Sequence, residues 1–251
     1  MRFDPEEWAR VHDAGEDRHL AFRRGLELCV RACAERIRPG ELWADVGAGT
    51  GHLAGALTAL GARVIGLDRD PRMARYARGR WPRAFAFAVA DASRLALADA
   101  SCGGIVAISL LGCLASPAGF FAEAARVLAP GGTLCVSAMN RHSLLLAASK
   151  ASAWRRRPGS PRYTAYDPAA LAGALRQAGL VPERQVLYAH FLAAGSRIVP
   201  GAAAARRRER TAPPGGRDLW ARQLLILARR GEPSGHIERS GTGSPQRPAK
   251  G

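Results

Sequence analysis

Short apolar runs alternate with amphipathic stretches along most of the chain, and this alternation predicts its elements. The apolar runs are short, as is typical of buried strands. In chain order they are ELWADVG, RVIGLD, AFAFAVAD, GGIVAISLL, TLCVSAM, VPERQVLYAHF and WARQLLILARR. Because the first five alternate with predicted helices, we expect an α/β fold with a doubly wound, mostly parallel sheet covered on both faces.

Capping residues predict where the helices begin and end. One amphipathic helix runs from about Phe22 to Ile37, and HLAGALTALG and PAGFFAEAARVLAPGG predict two more. Asp70 followed by Pro71 predicts a helix start, and Gly79 predicts the end of that helix. Asp167 and Gly179 have the same two roles in DPAALAGALRQAGL.

The order of these elements predicts one domain over residues 1–230. Residues 1–40 supply N-terminal helices, 42–138 a cofactor-binding core, and 139–220 acceptor-side elements with a basic loop. The polar segment 231–251 has too few apolar residues to bury a core, so we expect it to be disordered.

A glycine-rich loop follows the first predicted strand, where ligands bind in such sheets. The stretch LWADVGAGTGHL carries Gly47, Gly49 and Gly51 at alternate positions. The dinucleotide fingerprint G-x-G-x-x-G/A fits Gly49, Gly51 and Ala54, with Asp68 as the acid that follows. The loop could therefore hold a dinucleotide, a phosphate or another adenosine cofactor.

Asp45, directly before the glycines, favours a cofactor with a cationic end. A pyrophosphate at this turn would be repelled by the carboxylate. S-adenosylmethionine carries an ammonium and a sulfonium at one end and a ribose and adenine at the other. Asp45 and the Gly47–Gly51 loop are suited to the first end, and Asp68 can accept hydrogen bonds from both ribose hydroxyls.

Four stretches together resemble a known family. DVGAGTG, VIGLDRDPRM, VADASRLALADASCGGIVAISLLGCL and RVLAPGGTLCVS are similar, in order and spacing, to the motifs of class I S-adenosylmethionine-dependent methyltransferases, a group that includes the quinone-biosynthesis enzymes. The resemblance implies a Rossmann-like sheet with an antiparallel last strand. It implies that Asp91 and Ala92 contact the adenine and that Ser109 lines the methionine portion of the cofactor. Arg69 occupies the position that packs on the adenine, which is usually apolar in the family.

The methyl acceptor would approach from the segment after the fifth strand. If the acceptor is a hydroxyl, a general base accelerates the transfer. His142 in MNRHSLLLAAS is our first candidate for that base, and Tyr163, Tyr166 and His190 are weaker ones. A histidine that only caps a helix or faces solvent is the competing interpretation of His142.

The net charge of +16 is concentrated in the last two fifths of the chain. There are 18 basic and 15 acidic residues up to Ser149, but 19 basic and 6 acidic ones from Lys150 onward. An anionic partner such as RNA would explain this imbalance. A genome rich in arginine codons is the simpler explanation, since only two of the 37 basic residues are lysines.

The five cysteines predict neither disulfides nor a metal site. No C-x-x-C pair occurs, and Cys29 and Cys33 lie four apart in a helical stretch, where buried thiols are usual. We expect no transmembrane segment and no signal peptide, and hence a cytoplasmic protein.

The sequence therefore predicts a methyltransferase that uses S-adenosylmethionine to methylate a small-molecule or lipid-like acceptor. The alternatives are a methyltransferase acting on RNA or protein through the basic region, an NAD-dependent oxidoreductase, and a cofactor-binding protein without activity.

Overall fold

A computed structural model describes residues 4–13, 20–84, 86–147, 163–189, 193–194, 197–198, 210–216 and 218–231. The helices are α1 (Pro5–Asp13), α2 (Leu20–Ala34), α3 (His52–Ala59), α4 (Pro71–Arg80), α5 (Ala118–Val127) and α6 (Pro168–Gln177). The strands are β1 (Leu42–Val46), β2 (Arg63–Asp68), β3 (Ala86–Val89), β4 (Cys102–Ala107), β5 (Leu128–Asn140), β6 (Ala165–Tyr166), β7 (Leu180–Tyr188), β8 (Ala193–Ala194), β9 (Arg197–Ile198), β10 (Arg210–Ala212) and β11 (Gln223–Arg230).

Nine of these strands form one mixed sheet, in the order β10-β7-β11-β5-β4-β1-β2-β3, with the short β6 paired to β5. Strand β1 pairs in parallel with β2 on one side and with β4 on the other. The chain therefore reverses its direction of travel across the sheet at β1, and a crevice opens there at the carboxyl ends of the strands. This confirms the predicted doubly wound α/β fold.

The last strand is antiparallel, as the resemblance implies. Strand β11 lies between β5 and β7 and is antiparallel to both. Strand β10 adds a second antiparallel strand at the edge, against β7, and β8 and β9 form a separate two-stranded hairpin. The long loop predicted between the last two strands therefore contains short strands of its own.

Two apolar layers bury the faces of the sheet. One joins α5 and α6 to the sheet and includes Phe120, Phe121 and Leu175. The other joins α2, α3 and α4 to the opposite face and includes Trp43 and Tyr188, both nearly inaccessible to solvent. Covering both faces explains why the strands read as almost continuous apolar runs.

Most predicted caps are correct, but one predicted helix end is wrong. Asp70 accepts a hydrogen bond from the amide of Arg72, and Asp167 accepts two from the first turn of α6. Helix α4, however, passes through Gly79 and ends at Arg80. The indole N–H of Trp81 donates to the Thr50 carbonyl (3.0 Å), so tertiary packing of Trp81, rather than a glycine, ends the helix.

Two further boundaries differ from the sequence-based expectation. Helix α2 ends at Ala34, before Ile37. Strand β5 begins at Leu128, which pairs with Cys102, and its register shifts before Gly104 pairs with Thr133. Gly131, at φ +74°, lies in the intervening bulge. Beyond Gly231 the predicted disordered tail lies outside the described residues, and none of the described helices is long and apolar enough to cross a membrane.

Candidate active site

A cavity of about 280 Å³ lies at the carboxyl ends of β1, β2, β4 and β5. Its walls combine the loop after β1, the chain segments that follow β2, β3 and β4, and residues of α1 and α2. Every residue that the sequence predicts to bind the cofactor lines this cavity except Gly51. The lining members of that set are Asp45, Gly47, Gly49, Asp68, Arg69, Asp91, Ala92 and Ser109.

The glycine loop brings its backbone to the cavity surface. Gly47 has φ +75° and Gly49 φ +53°, conformations that residues with a Cβ rarely adopt. A Cβ on Gly47 would lie 3.0 Å from the Leu110 side chain, and one on Gly49 would meet the indole of Trp8 at 3.6 Å. Substitution at either glycine would narrow the cavity as well as strain the turn.

Gly51 has a different role in the structure. It is the N-cap of α3, at φ +80°. A Cβ there would lie 2.7 Å from Trp81 and 3.0 Å from Phe87. Gly51 thus permits close packing of aromatic residues beneath the loop.

Asp45 is buried at the end of β1, with 2% of its surface exposed. Its Oδ2 accepts a hydrogen bond from the amide of Ala54, in α3 (3.1 Å). Burial is the main cause that raises the pKa of this carboxyl from 3.8 to about 7, and the nearby Asp68 adds to the shift. A cation beside Asp45 would favour its ionised form and lower that pKa.

Asp68 is held in place by two backbone amides. Its Oδ2 accepts from the Gly49 amide (2.9 Å) and its Oδ1 from the Asp70 amide (2.9 Å). A carboxylate has about four acceptor sites, so each oxygen retains capacity for one further donor. These bonds also tie the glycine loop to the end of β2.

Asp91 forms a turn with Ser93 at the exit from β3. Its Oδ1 accepts from the Ser93 amide (2.8 Å) and from the Ser93 hydroxyl (2.5 Å). These hydrogen bonds hold the pKa of Asp91 below its ordinary value, with a smaller effect from Arg69. Ala92 is buried beside it, and Arg69 is an exposed residue that also lines the cavity.

Ser109 follows β4 in an unusual backbone conformation, with φ +62°. Its amide donates to the hydroxyl of Ser137 on β5 (2.8 Å). A non-glycine residue in the left-handed region costs free energy that the surrounding structure must offset, and such residues cluster at functional sites.

The N-terminal helices form one wall of the cavity. Trp8 of α1 and Phe22 of α2 pack edge to face at 6.4 Å between ring centroids, and both line the cavity. Asp13, at the end of α1, accepts from Arg80 (2.7 Å) and bonds to Nε2 of His52 (3.0 Å). These two contacts connect the end of α1 to the end of α4 and to the start of α3.

Part of the cavity lining is apolar. Leu110, Leu114 and Met139 line the cavity together with Tyr163 and Gln223, and Met139 and Tyr163 both lie close to Gly112. Burial raises the pKa of the Tyr163 phenol to about 12. Tyr163 therefore keeps its proton at neutral pH and can donate a hydrogen bond.

The structure places the predicted catalytic base, His142, in a different setting. His142 is absent from the residues that line the cavity, and its Nε2 lies 2.6 Å from Oδ2 of Asp167. That hydrogen bond is the main reason why the pKa of Asp167 falls to about 2. Tyr166 donates to the Leu111 carbonyl (2.8 Å), and His190 lies outside the described residues.

Several lining residues were not identified from the sequence, and two of them contribute polar groups or a large ring. Trp8 comes from a helix that is remote in sequence from the glycine loop, and Gln223 is the first residue of β11. A tryptophan one turn into a short amphipathic helix is a weak indication of a ligand contact. Nothing local marks Gln223, because its position depends on the pairing of β11 with β5.

Comparison with known proteins finds similarity to methyltransferases. Residues 44–136 match the family model described as "Methyltransferase domain". The ribosomal protein L11 methyltransferase of Pelotomaculum thermopropionicum is 36% identical over 129 residues, 48% of this chain and 41% of that protein. A demethylmenaquinone methyltransferase of Tropheryma whipplei is 37% identical over 102 residues, 40% of this chain and 42% of that protein. The chain thus spans about two fifths of the length of each relative.

A solved structure shares the fold across most of the chain. Magnesium protoporphyrin IX methyltransferase from Synechocystis, solved with bound S-adenosylhomocysteine, superimposes with a TM-score of 0.61 at 16% identity. The match covers 86% of this chain and 85% of that one. Residues 44–136 thus resemble a methyltransferase domain in sequence, and the fold is shared with a solved methyltransferase, which is consistent with a class I S-adenosylmethionine-dependent methyltransferase.

Proposed function

We propose that the protein transfers a methyl group from S-adenosylmethionine to a small-molecule or lipid-like acceptor. The observation that carries this proposal is the apolar part of the cavity lining, to which Leu110, Leu114 and Met139 contribute together with Tyr163. An apolar cavity lining suits a compact hydrophobic acceptor better than it suits a polyanion such as RNA. The demethylmenaquinone methyltransferase relative is consistent with this class of acceptor.

The cavity residues fit the cofactor at both of its ends. The buried carboxyl of Asp45 lies beside the glycine loop, where it can pair with a cationic group. Asp68, oriented by two amides, has acceptor capacity for two ribose hydroxyls. Asp91 uses only Oδ1 in its hydrogen bonds to Ser93, so Oδ2 can accept from an adenine amino group.

When bound, S-adenosylmethionine supplies an electrophilic methyl group with a neutral thioether as leaving group. The chain has to hold the acceptor atom in line with that methyl group, which is catalysis by proximity and orientation. Leu110 and Met139 exclude water from the part of the cavity that they line. Tyr163 can orient an acceptor oxygen by donating a hydrogen bond from its phenolic hydroxyl.

We further propose that His142 is a positioning residue in the fold. Its pairing with Asp167, the N-cap of α6, connects the end of β5 to α6. For the variant His142→Ala we expect a loss of about 1 kcal/mol in unfolding free energy, which corresponds to a Tm lower by about 2–4 °C. Activity per folded molecule should stay within about twofold of the wild type. A loss of 100-fold or more in kcat without a change in Tm would instead identify His142 as the base.

The reaction can be tested by incubating the protein with methyl-labelled S-adenosylmethionine and an extract separated into small-molecule, lipid, RNA and protein fractions. We expect label in the small-molecule or lipid fraction. Label confined to RNA or protein would contradict the proposed acceptor class. A parallel thermal-shift assay should show stabilisation by S-adenosylhomocysteine and none by NADH, and the reverse result would favour an oxidoreductase.

Methylation of RNA or protein is the second candidate, favoured by the excess of arginine after Lys150. Arg206, Arg207 and Arg208 belong to this basic region, and they lie outside the described residues. If RNA is the partner, binding should weaken steeply with salt and be lost when these three arginines are neutralised. Binding that is absent or insensitive to salt would exclude this alternative.

A further inference from the structure

Three cysteine thiols meet in the core, away from the residues that line the cavity. Cys29 and Cys33 lie one turn apart on α2, and Cys135 lies on β5, against which α2 packs. Their Sγ atoms all lie within 4.8 Å of one another, and each residue has 0% of its surface exposed. The sequence predicted no metal site, because the third thiol comes from a strand about 100 positions further along the chain.

The spacing of the three sulfurs suits coordination of a single ion. For three sulfurs that are at most 4.8 Å apart there is always a point no more than about 2.8 Å from each of them. Metal–thiolate bonds such as Zn–S are about 2.3 Å long. Small rotations of the three side chains, which move each sulfur by about half an ångström, would therefore bring all three sulfurs within bonding distance of one ion.

We propose that Cys29, Cys33 and Cys135 form a three-coordinate site for one thiophilic d10 metal ion, with Cu(I) as the preferred occupant. Thiolate ligands select soft ions such as Cu(I). Structural zinc sites almost always have four ligands, whereas among the described residues this cluster offers three ligand atoms. Each thiol that coordinates the ion releases its proton to solvent.

Occupation of this site would join α2 to the centre of the sheet. Helix α2 carries Phe22 and Leu26 of the cavity wall, and β5 carries Ser137 and Met139 of the same cavity. An ion that binds the folded chain and not the unfolded one stabilises the fold by mass action. The expected consequence is a more stable cavity wall, independent of which molecule accepts the methyl group.

The test is a titration of the full-length, reduced protein with Cu(I), supplied through a competing chelator of known affinity, and with Cd(II) as a spectroscopic probe. We expect one ion per chain, a thiolate-to-Cd(II) charge-transfer band and a higher Tm. Cys135→Ala and Cys29→Ala should each weaken Cu(I) binding by about 100-fold or more. The matched control is Cys102→Ala, since Cys102 is a buried thiol on β4 outside the cluster, and it should bind Cu(I) like the wild type.

Circular dichroism of each apo variant separates loss of the site from loss of the fold. If both cluster variants are folded and bind Cu(I) as tightly as the wild type, the proposal is wrong. It is equally wrong if the wild type binds no ion, or if Cys102→Ala abolishes binding. Tighter binding of Zn(II) than of Cu(I) would overturn the choice of Cu(I). None of these readouts depends on methyl transfer, so failure here and failure of the proposed function can be told apart.

Discussion

Replacing Asp45 with Asn is expected to weaken the binding of S-adenosylmethionine by about 100-fold while raising the Tm of the cofactor-free protein at pH 8. Asp45 is buried, and its raised pKa of about 7 means that the fold disfavours the ionised carboxylate. The shift from 3.8 to about 7 corresponds to a cost on the order of 4 kcal/mol when the group is ionised. Asn removes that charge and keeps an acceptor for the Ala54 amide, so several degrees of stabilisation are expected.

The sign of the pH dependence follows from the same pKa. The folded-state pKa of Asp45 lies above its unfolded value, so the cost to stability grows as the pH rises from about 4 to about 7 and is constant above that. The Tm advantage of Asp45→Asn should therefore be larger at pH 8 than at pH 5. Equal Tm differences at the two pH values would contradict a charged, desolvated Asp45.

Cofactor binding should depend on pH in the opposite direction. In our proposal the cationic end of S-adenosylmethionine pairs with the ionised form of Asp45, which in the cofactor-free protein predominates only above a pH of about 7. We expect the wild type to bind the cofactor several-fold more weakly at pH 6 than at pH 7.5, and Asp45→Asn to show little difference. Isothermal titration at both pH values measures this, and unchanged affinity in the variant would place Asp45 outside the binding interaction.

Replacing Asp68 with Ala is expected to weaken cofactor binding by about 100-fold or more. The variant would lose the two charge-assisted hydrogen bonds that we propose between Asp68 and the ribose, each contributing about 1.5–3 kcal/mol. It also loses the bond from the Gly49 amide that orients the glycine loop. Asp99→Asn is a suitable control, because Asp99 is an exposed acid that pairs only with Arg126 among its described contacts.

Fragments of the cofactor can separate the roles of the two acids. Adenosine contains the ribose and lacks the cationic end, so Asp68→Ala should weaken adenosine binding while Asp45→Asn should leave it nearly unchanged. Competition with a fluorescent adenosine analogue measures both. Loss of adenosine affinity in Asp45→Asn alone would reverse our assignment of the two ends.

The local sequence predicts the elements of this fold well because each depends on nearby residues. Asp70 and Asp167 cap helices through bonds to amides two or three residues away, so a short window contains all the atoms involved. The seven apolar runs correspond to strands of the main sheet for a similar reason, since burial on both faces requires apolar residues at nearly every position.

Local sequence is insufficient where distant segments decide the outcome. Gly79 was expected to end α4, but the helix end is set by Trp81 packing against Gly51 and Gly55. His142, our candidate base, pairs with Asp167, which lies 25 positions further on, and its role as a base stays a prediction. Neither contact can be recognised from the residues that flank it in the sequence.

The sequence by itself determined the order of strands and helices, the turn-forming glycines after β1 and the acids that end β1, β2 and β3. These follow from short-range periodicity, capping and backbone conformation. Only the tertiary structure decided which side chains share a cavity, that Gly51 serves aromatic packing, and that Cys135 joins Cys29 and Cys33. The physical reason is that burial, pKa shifts and contacts between side chains depend on distances in space, which arise only when strands far apart in the chain pair in one sheet.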